Sequence, residues 1–183
     1  MRMEYGDSKL QRSIIFYTKA NLLMSTSSVD LSSLEPGKLP LEVFNAIARV
    51  TVTPVVELII TDGQAVLLRR RSDTDQYWPG QYCLPGSIIY SGGPKSIDGY
   101  ISKILKSLNI DTTTKPQLVD IGLYTTKRGD EVAIVYRLDL EHYVNTSLGN
   151  SVQFTQVSDL GDINIINEHL DILQSFLGKA TDD

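Results

Sequence analysis

Two short stretches decide how this chain is interpreted: VLLRRR at residues 66–71 and WPGQYCLPG at residues 78–86. The first begins apolar and ends in three arginines, which is typical of a buried strand whose end reaches solvent. The second holds a β-prone segment between two Pro-Gly pairs, and Pro-Gly pairs mark turns. Together they predict two strands joined by a turn-rich loop, with cationic and aromatic side chains gathered where the strands end.

The segments on either side supply the other elements of a mixed fold. An apolar run at residues 55–60 and the turn TDGQ at residues 61–64 predict a hairpin with residues 65–71. Ser96 is a good N-cap for a helix with one apolar face. The remaining predicted elements are a helix at 41–49, a helix at 96–108, strands at 117–125, 132–140 and 152–156, and a helix at 165–177. Strands on both sides of a central helix indicate an α+β (mixed α/β) sandwich.

Length and composition indicate one globular domain. The chain has 183 residues and a net charge of −5 without a dense basic block, which argues against nucleic acid as a partner. We expect a helical N-terminal arm at residues 1–45, packed on the domain or on a second subunit. A main domain at residues 46–178 and a disordered tail at residues 179–183 follow. Charged residues interrupt the apolar ones near the N-terminus, so no membrane span is expected and a cytoplasmic location is predicted.

The order of these motifs resembles the Nudix hydrolase family. Members show a strand ending in arginine, an aromatic residue shortly before Leu-Pro-Gly-Gly, and a loop–helix–loop that closes in glycine and an apolar residue. The corresponding stretches here are residues 66–71, residues 78–86 and Leu108-Asn109-Ile110. The resemblance covers roughly residues 51–177. It implies a Nudix-like α/β/α sandwich with a central mixed sheet.

The family's sequence motif, G-x5-E-x7-R-E-U-x-E-E-x-G-U with U a bulky aliphatic, is degenerate in this chain. With Asn109-Ile110 set on the final G-U, Lys103 stands at the first helix glutamate, and Lys106 and Ser107 stand at the paired glutamates. The opening glycine, the loop glutamate and the arginine are replaced by Ser87, Gly93 and Ser102. In the family these glutamates hold a divalent metal, usually Mg²⁺, which needs anionic oxygen ligands. Ammonium groups at these positions repel a dication, so neither catalytic nor metal-binding residues are predicted.

The resemblance and its departures lead to one main functional prediction and two alternatives. The main prediction is a non-hydrolytic Nudix-fold protein that binds a nucleotide, another phosphorylated small molecule or a protein partner, without a cofactor. The first alternative is an atypical hydrolase of a nucleoside diphosphate linked to another moiety, using Mg²⁺ or Mn²⁺ and acids such as Glu57, Asp120 and Glu131. The second is a structural or dimerisation module, with the chain forming a homodimer.

Candidate ligand-binding residues are cationic or aromatic side chains near the expected cleft. We predict this role for Arg69, Arg71, Trp78, Tyr82, Tyr90, Lys103, Lys106 and Tyr124. Arginine and lysine would meet phosphate, and the aromatic rings would stack on a base. Lys127 and Arg128 would rim the same cleft. The alternative for each is structural: solvated charges on an exposed face, and rings that close a small core. Cys83, the only cysteine, is interpreted as a buried apolar side chain.

Overall fold

The computed structural model describes residues 34, 35, 37, 39–140 and 151–177. From Glu35 onward these residues belong to one structural unit. Most of the predicted N-terminal arm (residues 1–45) and the predicted tail (179–183) lie outside the described residues, so these divisions stay predictions. No helix within the described part of the chain is long and apolar enough to cross a membrane.

The described elements are three α-helices, one 3₁₀ helix and seven strands. Their bounds are α1 Leu41–Ala48, β1 Thr53–Thr61, β2 Ala65–Arg70, β3 Tyr82–Cys83, β4 Gly86–Ile88, α2 Ile97–Ser107, β5 Gln117–Thr126, β6 Gly129–Asp139, β7 Val152–Gln156, a 3₁₀ helix Val157–Asp162 and α3 Asn167–Leu177. The predicted hairpin at the start of the domain is confirmed, since β1 ends at Thr61 and β2 begins at Ala65.

Strand β1 is the centre of the sheet. Within the described residues seven strands form one mixed sheet, in the order β3-β2-β1-β6-β5, with β4 also pairing β1 and β7 also pairing β2. One edge of β1 pairs in parallel with β6 over its whole length. The other edge is divided, because Val55 to Glu57 pair with β4 and Thr61 pairs with β2. Between these two pairings, none of the described strands lies beside the middle of β1 on this edge, which leaves a space between β2 and β4.

Helices cover both faces of the sheet, which explains why β1 is apolar along nearly its whole length. Val56, Leu58 and Ile60 pack with residues of α2. Val55 and Ile59, which alternate with them, pack with residues of α3 and the 3₁₀ helix. The predicted α+β fold, an α/β/α sandwich with a central mixed sheet, is confirmed.

Helix α2 begins and ends as its sequence indicates. The Ser96 hydroxyl accepts a hydrogen bond from the Gly99 N–H, as expected for an N-cap. After the helix, Asn109 has a φ of 55°, a conformation that asparagine tolerates better than most residues. Asn109 thus replaces the glycine that the resembling family has at this point.

Three boundaries differ from the predictions for local reasons. Strand β4 (Gly86–Ile88) was not predicted, because three residues give too short a pattern to detect. Strand β6 begins at Gly129 rather than residue 132, because the turn at Lys127 and Arg128 is tight. The last helix begins at Asn167 rather than residue 165, because Ile165 forms a parallel bridge with Tyr82.

Tyr100 ties α2 to the loop that follows β4. Its buried hydroxyl donates a hydrogen bond to the Tyr90 carbonyl and accepts one from the Tyr90 N–H. We expect Tyr100→Phe to lower the free energy of unfolding by about 1–3 kcal/mol, because both Tyr90 groups lose their partner. Urea denaturation measures this. Tyr136→Phe, on a half-buried tyrosine of β6, is the matched control, and an equal loss in both variants would contradict the explanation.

Candidate functional site

The candidate cleft lies on the face of the sheet that α3 covers, beside the middle of β1. Its volume is about 420 Å³. The end of β2, the loop to β3, strand β4, the turn between β5 and β6, and α3 all contribute to its walls. Its charged or polar lining residues include Glu57, Arg69, Arg70, Arg71, Asp75, Arg128, Glu131 and His169. Few sites in the described part of the chain gather so many ionisable groups around one concave space.

Asp75 fixes the loop that forms one wall. One of its carboxylate oxygens accepts hydrogen bonds from the N–H groups of Tyr77 and Trp78, at 3.0 and 2.9 Å. The other accepts from the Arg71 guanidinium, with Nε at 2.8 Å. Burial alone would raise the pKa of Asp75, but these hydrogen bonds hold the pKa below its ordinary value. Asp75 therefore stays ionised and positions Arg71 and Trp78 together.

The Trp78 ring contacts the guanidinium groups of two arginines. Its side chain is 4% exposed and packs with Cys83 and Ile166. The guanidinium carbons of Arg71 and Arg128 lie 5.4 and 5.2 Å from the centre of its rings. Distances below about 6 Å allow attraction between a cation and an aromatic face. Trp78 thus brings together two cations that come from different parts of the sequence.

Arg128 is held by Glu131 as Arg71 is held by Asp75. Its Nε and Nη2 donate to one carboxylate oxygen of Glu131 at 2.8 and 2.6 Å, and both side chains are largely buried. The Thr126 hydroxyl donates to the same oxygen at 3.1 Å. The Glu131 carboxylate is therefore already bonded to the Arg128 guanidinium and the Thr126 hydroxyl of the same hairpin.

Glu57 is a buried acid in the middle of β1. Its Oε2 has no hydrogen-bond partner, and Gly86 lies against the carboxyl group so closely that a Cβ there would collide with it. Burial and, to a smaller extent, the nearby charge of Glu131 raise the pKa of Glu57, whereas the positive charges of Arg128 and Arg71 lower it. The balance of these effects is a rise in the pKa from 4.5 to about 8. Glu57 is thus mainly protonated at neutral pH.

His169, near the start of α3, completes the polar lining. Its Nδ1 accepts a hydrogen bond from the Leu84 N–H at 3.0 Å. Burial, together with the charges of Arg71 and Arg128, lowers the pKa of His169 from 6.5 to about 4. The imidazole is therefore neutral at physiological pH.

The cleft is cationic although the chain as a whole is acidic. Four arginines line it, against three acids of which Glu57 is protonated below pH 8. Asp75 and Glu131 each neutralise only one arginine, and Arg70 pairs with Asp73 outside the lining. Within the described residues no ion pair neutralises Arg69, so its charge is the surplus. The surplus of positive charge suits an anionic ligand.

These residues do not fit a divalent metal ion. Lys103 and Lys106 stand on α2 where the Nudix resemblance places glutamates, and the Lys103 Nζ donates to the Tyr90 hydroxyl at 2.9 Å. Among the described residues no group of three or more His, Cys, Asp and Glu side chains is arranged to hold a metal ion. A hard dication favours several anionic oxygens, whereas this cleft offers a neutral Glu57 and a paired Glu131.

Three of the predicted ligand-binding residues lie in the lining of this cleft: Arg69, Arg71 and Trp78. Arg69 and Arg71 come from the end of β2 and Trp78 from the loop after it. The structure brings Arg71 and Trp78 into direct contact. Arg128, which was predicted to rim the cleft, also lines it.

The other five predicted residues lie elsewhere. The Lys103 ammonium lies 5.1 Å from the centre of the Tyr90 ring, outside the cleft lining. Lys106 borders a separate shallow depression at the end of α2. The Tyr82 hydroxyl contacts Gln153, and the Tyr124 hydroxyl donates to Asp120. Burial, with the hydrogen bond to Asp120, raises the pKa of Tyr124 to about 12.

Asp75 and His169 were not among the predicted site residues, and Glu57 was named only as an acid of the alternative hydrolase site. Glu57 carried a detectable signal, since it is the one acid in the apolar strand PVVELII at residues 54–60, and buried acids are rare. Asp75 precedes Trp78 by three residues, a spacing that allows a side chain to bond the backbone. His169 carried no local signal, because its partner Leu84 is distant in sequence.

The buried Glu57 should make stability depend on pH. The folded pKa lies above the ordinary value, so its contribution is fully present below pH 4.5 and is lost as pH rises towards 8. We expect Glu57→Gln to remove this loss. Between pH 6 and 8 the free energy of unfolding of the wild type should fall relative to the variant by about 1 kcal/mol per pH unit. Glu42→Gln on the exposed side of α1 is the control, and parallel pH profiles for wild type and Glu57→Gln would contradict the assignment.

No model of a known protein family matches this sequence, and no curated protein is similar to it at the sequence level. Solved structures are similar in three dimensions. The NUDIX domain of Shewanella oneidensis NrtR, complexed with ADP ribose, has a TM-score of 0.59 at 16% identity, over 72% of this chain and 90% of that one. The Ap4A hydrolase of C. elegans has a TM-score of 0.54 at 16% identity, over 72% of this chain and 100% of that one.

A further structure shows NrtR of Shewanella oneidensis complexed with a 27mer DNA, with a TM-score of 0.55 at 17% identity, over 69% of this chain and 61% of that one. Similarity at such low identity concerns the path of the backbone and not the chemistry of the site. The mixed sheet between helices matches the fold of these structural neighbours. The chain therefore has the Nudix fold.

Proposed function

We propose that this protein binds a nucleotide or another phosphorylated small molecule in the cleft and does not hydrolyse it. The observation that carries the proposal is the convergence of Arg71 and Arg128 on Trp78. Guanidinium groups are suited to phosphate oxygens because they offer several N–H donors in one plane. Arg69 and Arg70 add further positive charge at the cleft lining.

The size and position of the cleft support the same ligand class. Its volume of about 420 Å³ lies in the range of small-molecule sites. A Nudix domain of this fold, that of NrtR, is complexed with ADP ribose, which carries a diphosphate. A diphosphate would gain contacts from cations on two sides of the cleft.

We propose that hydrolysis is absent because neither acidic side chain in the middle of the cleft, Glu57 or Glu131, is free to bind a metal ion. Phosphate hydrolysis in this fold requires charge neutralisation and an activated water, which the Nudix family obtains from a glutamate-bound metal. Here Glu131 is paired with Arg128 and Glu57 retains its proton at neutral pH. No cofactor is therefore proposed.

The atypical hydrolase remains the second candidate, because the structure places Glu57 and Glu131 in the same cleft. Mg²⁺ or Mn²⁺ would have to displace Arg128 from Glu131 and the proton from Glu57. Each displacement costs free energy, and for this reason we favour binding without hydrolysis.

We also propose that nucleic acid is not the main partner and that the protein is cytoplasmic. The net charge of −5 supports the first point. The DNA complex of NrtR belongs to a longer chain, of which this chain covers 61%.

Binding should depend on the cleft arginines and not on the lysines of α2. We expect Arg71→Ala to weaken the affinity for ADP ribose about tenfold or more, because a charge-assisted contact is lost. Arg69→Ala, on an exposed side chain, should weaken it with little effect on folding. Isothermal titration calorimetry measures both variants.

Lys106→Ala is the matched control, since it removes a cation from outside the cleft. Its affinity should equal that of the wild type. A large loss in Lys106→Ala with none in Arg71→Ala would move the site to α2. Rapid turnover of ADP ribose with Mg²⁺ or Mn²⁺ would favour the hydrolase instead.

An exposed apolar surface supports the predicted homodimer. Leu118, Ile121 and Leu123 are 53%, 62% and 66% exposed on β5, an edge strand among the described elements. Their partners on β6 show that they share one face of the sheet. Two copies related by a two-fold axis would bury this surface against itself.

Solution mass tests the homodimer directly. We expect a dimer by light scattering for the wild type and a monomer for Ile121→Glu, because the substitution places a charge in the centre of the apolar surface. Asp130→Ala, at the exposed start of β6, is the control and should leave the mass unchanged. A wild-type monomer would overturn the proposed dimer.

A further inference from the structure

One hydrogen bond determines the chemical form of His169. The Leu84 N–H donates to the His169 Nδ1 at 3.0 Å. An imidazole nitrogen that accepts a hydrogen bond carries no proton. The backbone at the end of β3 therefore requires an unprotonated Nδ1.

The charges around the ring keep the imidazole neutral. Burial is the main cause that lowers the pKa of His169 from 6.5 to about 4, and Arg71 and Arg128 add to it. The other ionisable lining groups are Arg69 and Arg70 at the end of β2, Glu57 on β1, Glu131 on β6, Asp75 and Cys83. Of the acids, Asp75 and Glu131 are each paired with an arginine. A neutral imidazole with a bare Nδ1 carries its proton on Nε2.

The Nε2–H group has no hydrogen-bond acceptor among the described residues, although His169 lines the cleft. In the same lining, Glu57 Oε2 is buried with no partner in the described part of the chain, although buried polar atoms nearly always have one in native proteins. The Nε2–H donor of His169 and the unpartnered oxygen of Glu57 are therefore two groups of one cleft that a bound ligand would satisfy.

We propose that His169 is a fixed, neutral hydrogen-bond donor that recognises an oxygen of the bound phosphate through its Nε2–H. This inference rests on the proposed function and names a specificity-determining residue for it. The Leu84 N–H selects the tautomer before the ligand arrives, so no proton has to be taken up on binding. The cleft then offers donors from Arg71, Arg128 and His169, and favours ligands rich in acceptor oxygens.

Two substitutions separate the two nitrogens of the ring. In His169→Asn the side-chain oxygen can replace Nδ1 and accept from the Leu84 N–H, but no donor remains at the position of Nε2. In His169→Gln the longer side chain places its amide N–H near the position of Nε2, but the acceptor for Leu84 is lost. The first variant removes the proposed ligand contact, and the second removes the structural contact.

With inorganic pyrophosphate as the probe, we expect His169→Asn to bind about tenfold more weakly than the wild type while it keeps most of its thermal stability. We expect His169→Gln to keep most of the affinity while its melting temperature falls. Thus one variant, His169→Asn, loses affinity, and the other, His169→Gln, loses stability. A purely structural role would instead make affinity follow stability, and equal binding by His169→Asn and the wild type would overturn the inference.

The tautomer can be observed without a ligand. In a His142→Gln background, which leaves His169 as the only histidine, ¹H–¹⁵N spectra should show a neutral Nε2–H ring that does not titrate between pH 5 and 7. A protonated Nδ1 or a charged ring at pH 6 would overturn the inference even if pyrophosphate binds. If the ring has the expected form but the wild type binds no pyrophosphate, the proposed function fails and the inference fails with it.

Discussion

The contact of two arginines with one buried tryptophan is the constraint on which the site depends. Arg71 and Arg128 are 57 positions apart in the sequence, yet both reach the Trp78 ring, at 5.4 and 5.2 Å. Asp75 holds the first and Glu131 holds the second. Because these carboxylates neutralise arginines inside the cleft, they are poorly suited to bind a dication as well. The same contacts that order the cleft therefore favour an anionic ligand.

Arg71 follows β2 and Arg128 lies in the turn between β5 and β6. Only the folded sheet brings them to the same ring.

Glu57 is the second feature that shapes the cleft. An acid in the central strand is tolerated because Gly86 leaves room for its carboxyl group, and because the group can keep its proton. An ionised carboxylate without a partner would be costly at this depth. The glycine of the Leu-Pro-Gly stretch is thus explained by the side chain that it contacts on the neighbouring strand.

The sequence was sufficient to predict the fold but only part of the site. The β1–β2 hairpin and the Ser96 cap are local patterns, so residues a few positions apart were enough to predict them. Arg71 and Trp78 were predicted because they lie in the stretch that resembles the Nudix family. The Leu84–His169 bond joins residues far apart in the sequence, and no local pattern indicates it. The lysines of α2 were predicted as ligand contacts because they stand at the glutamate positions of the Nudix motif. The cleft, however, is lined by residues of other elements.

The central claim is that positive side chains, and not a metal ion, prepare this cleft for phosphate. Calorimetric titration of the wild type with inorganic pyrophosphate, once with EDTA and once with Mg²⁺, tests it most directly. We expect binding to persist in EDTA, with an affinity close to that measured with Mg²⁺. Binding that disappears in EDTA and returns with Mg²⁺ would contradict it.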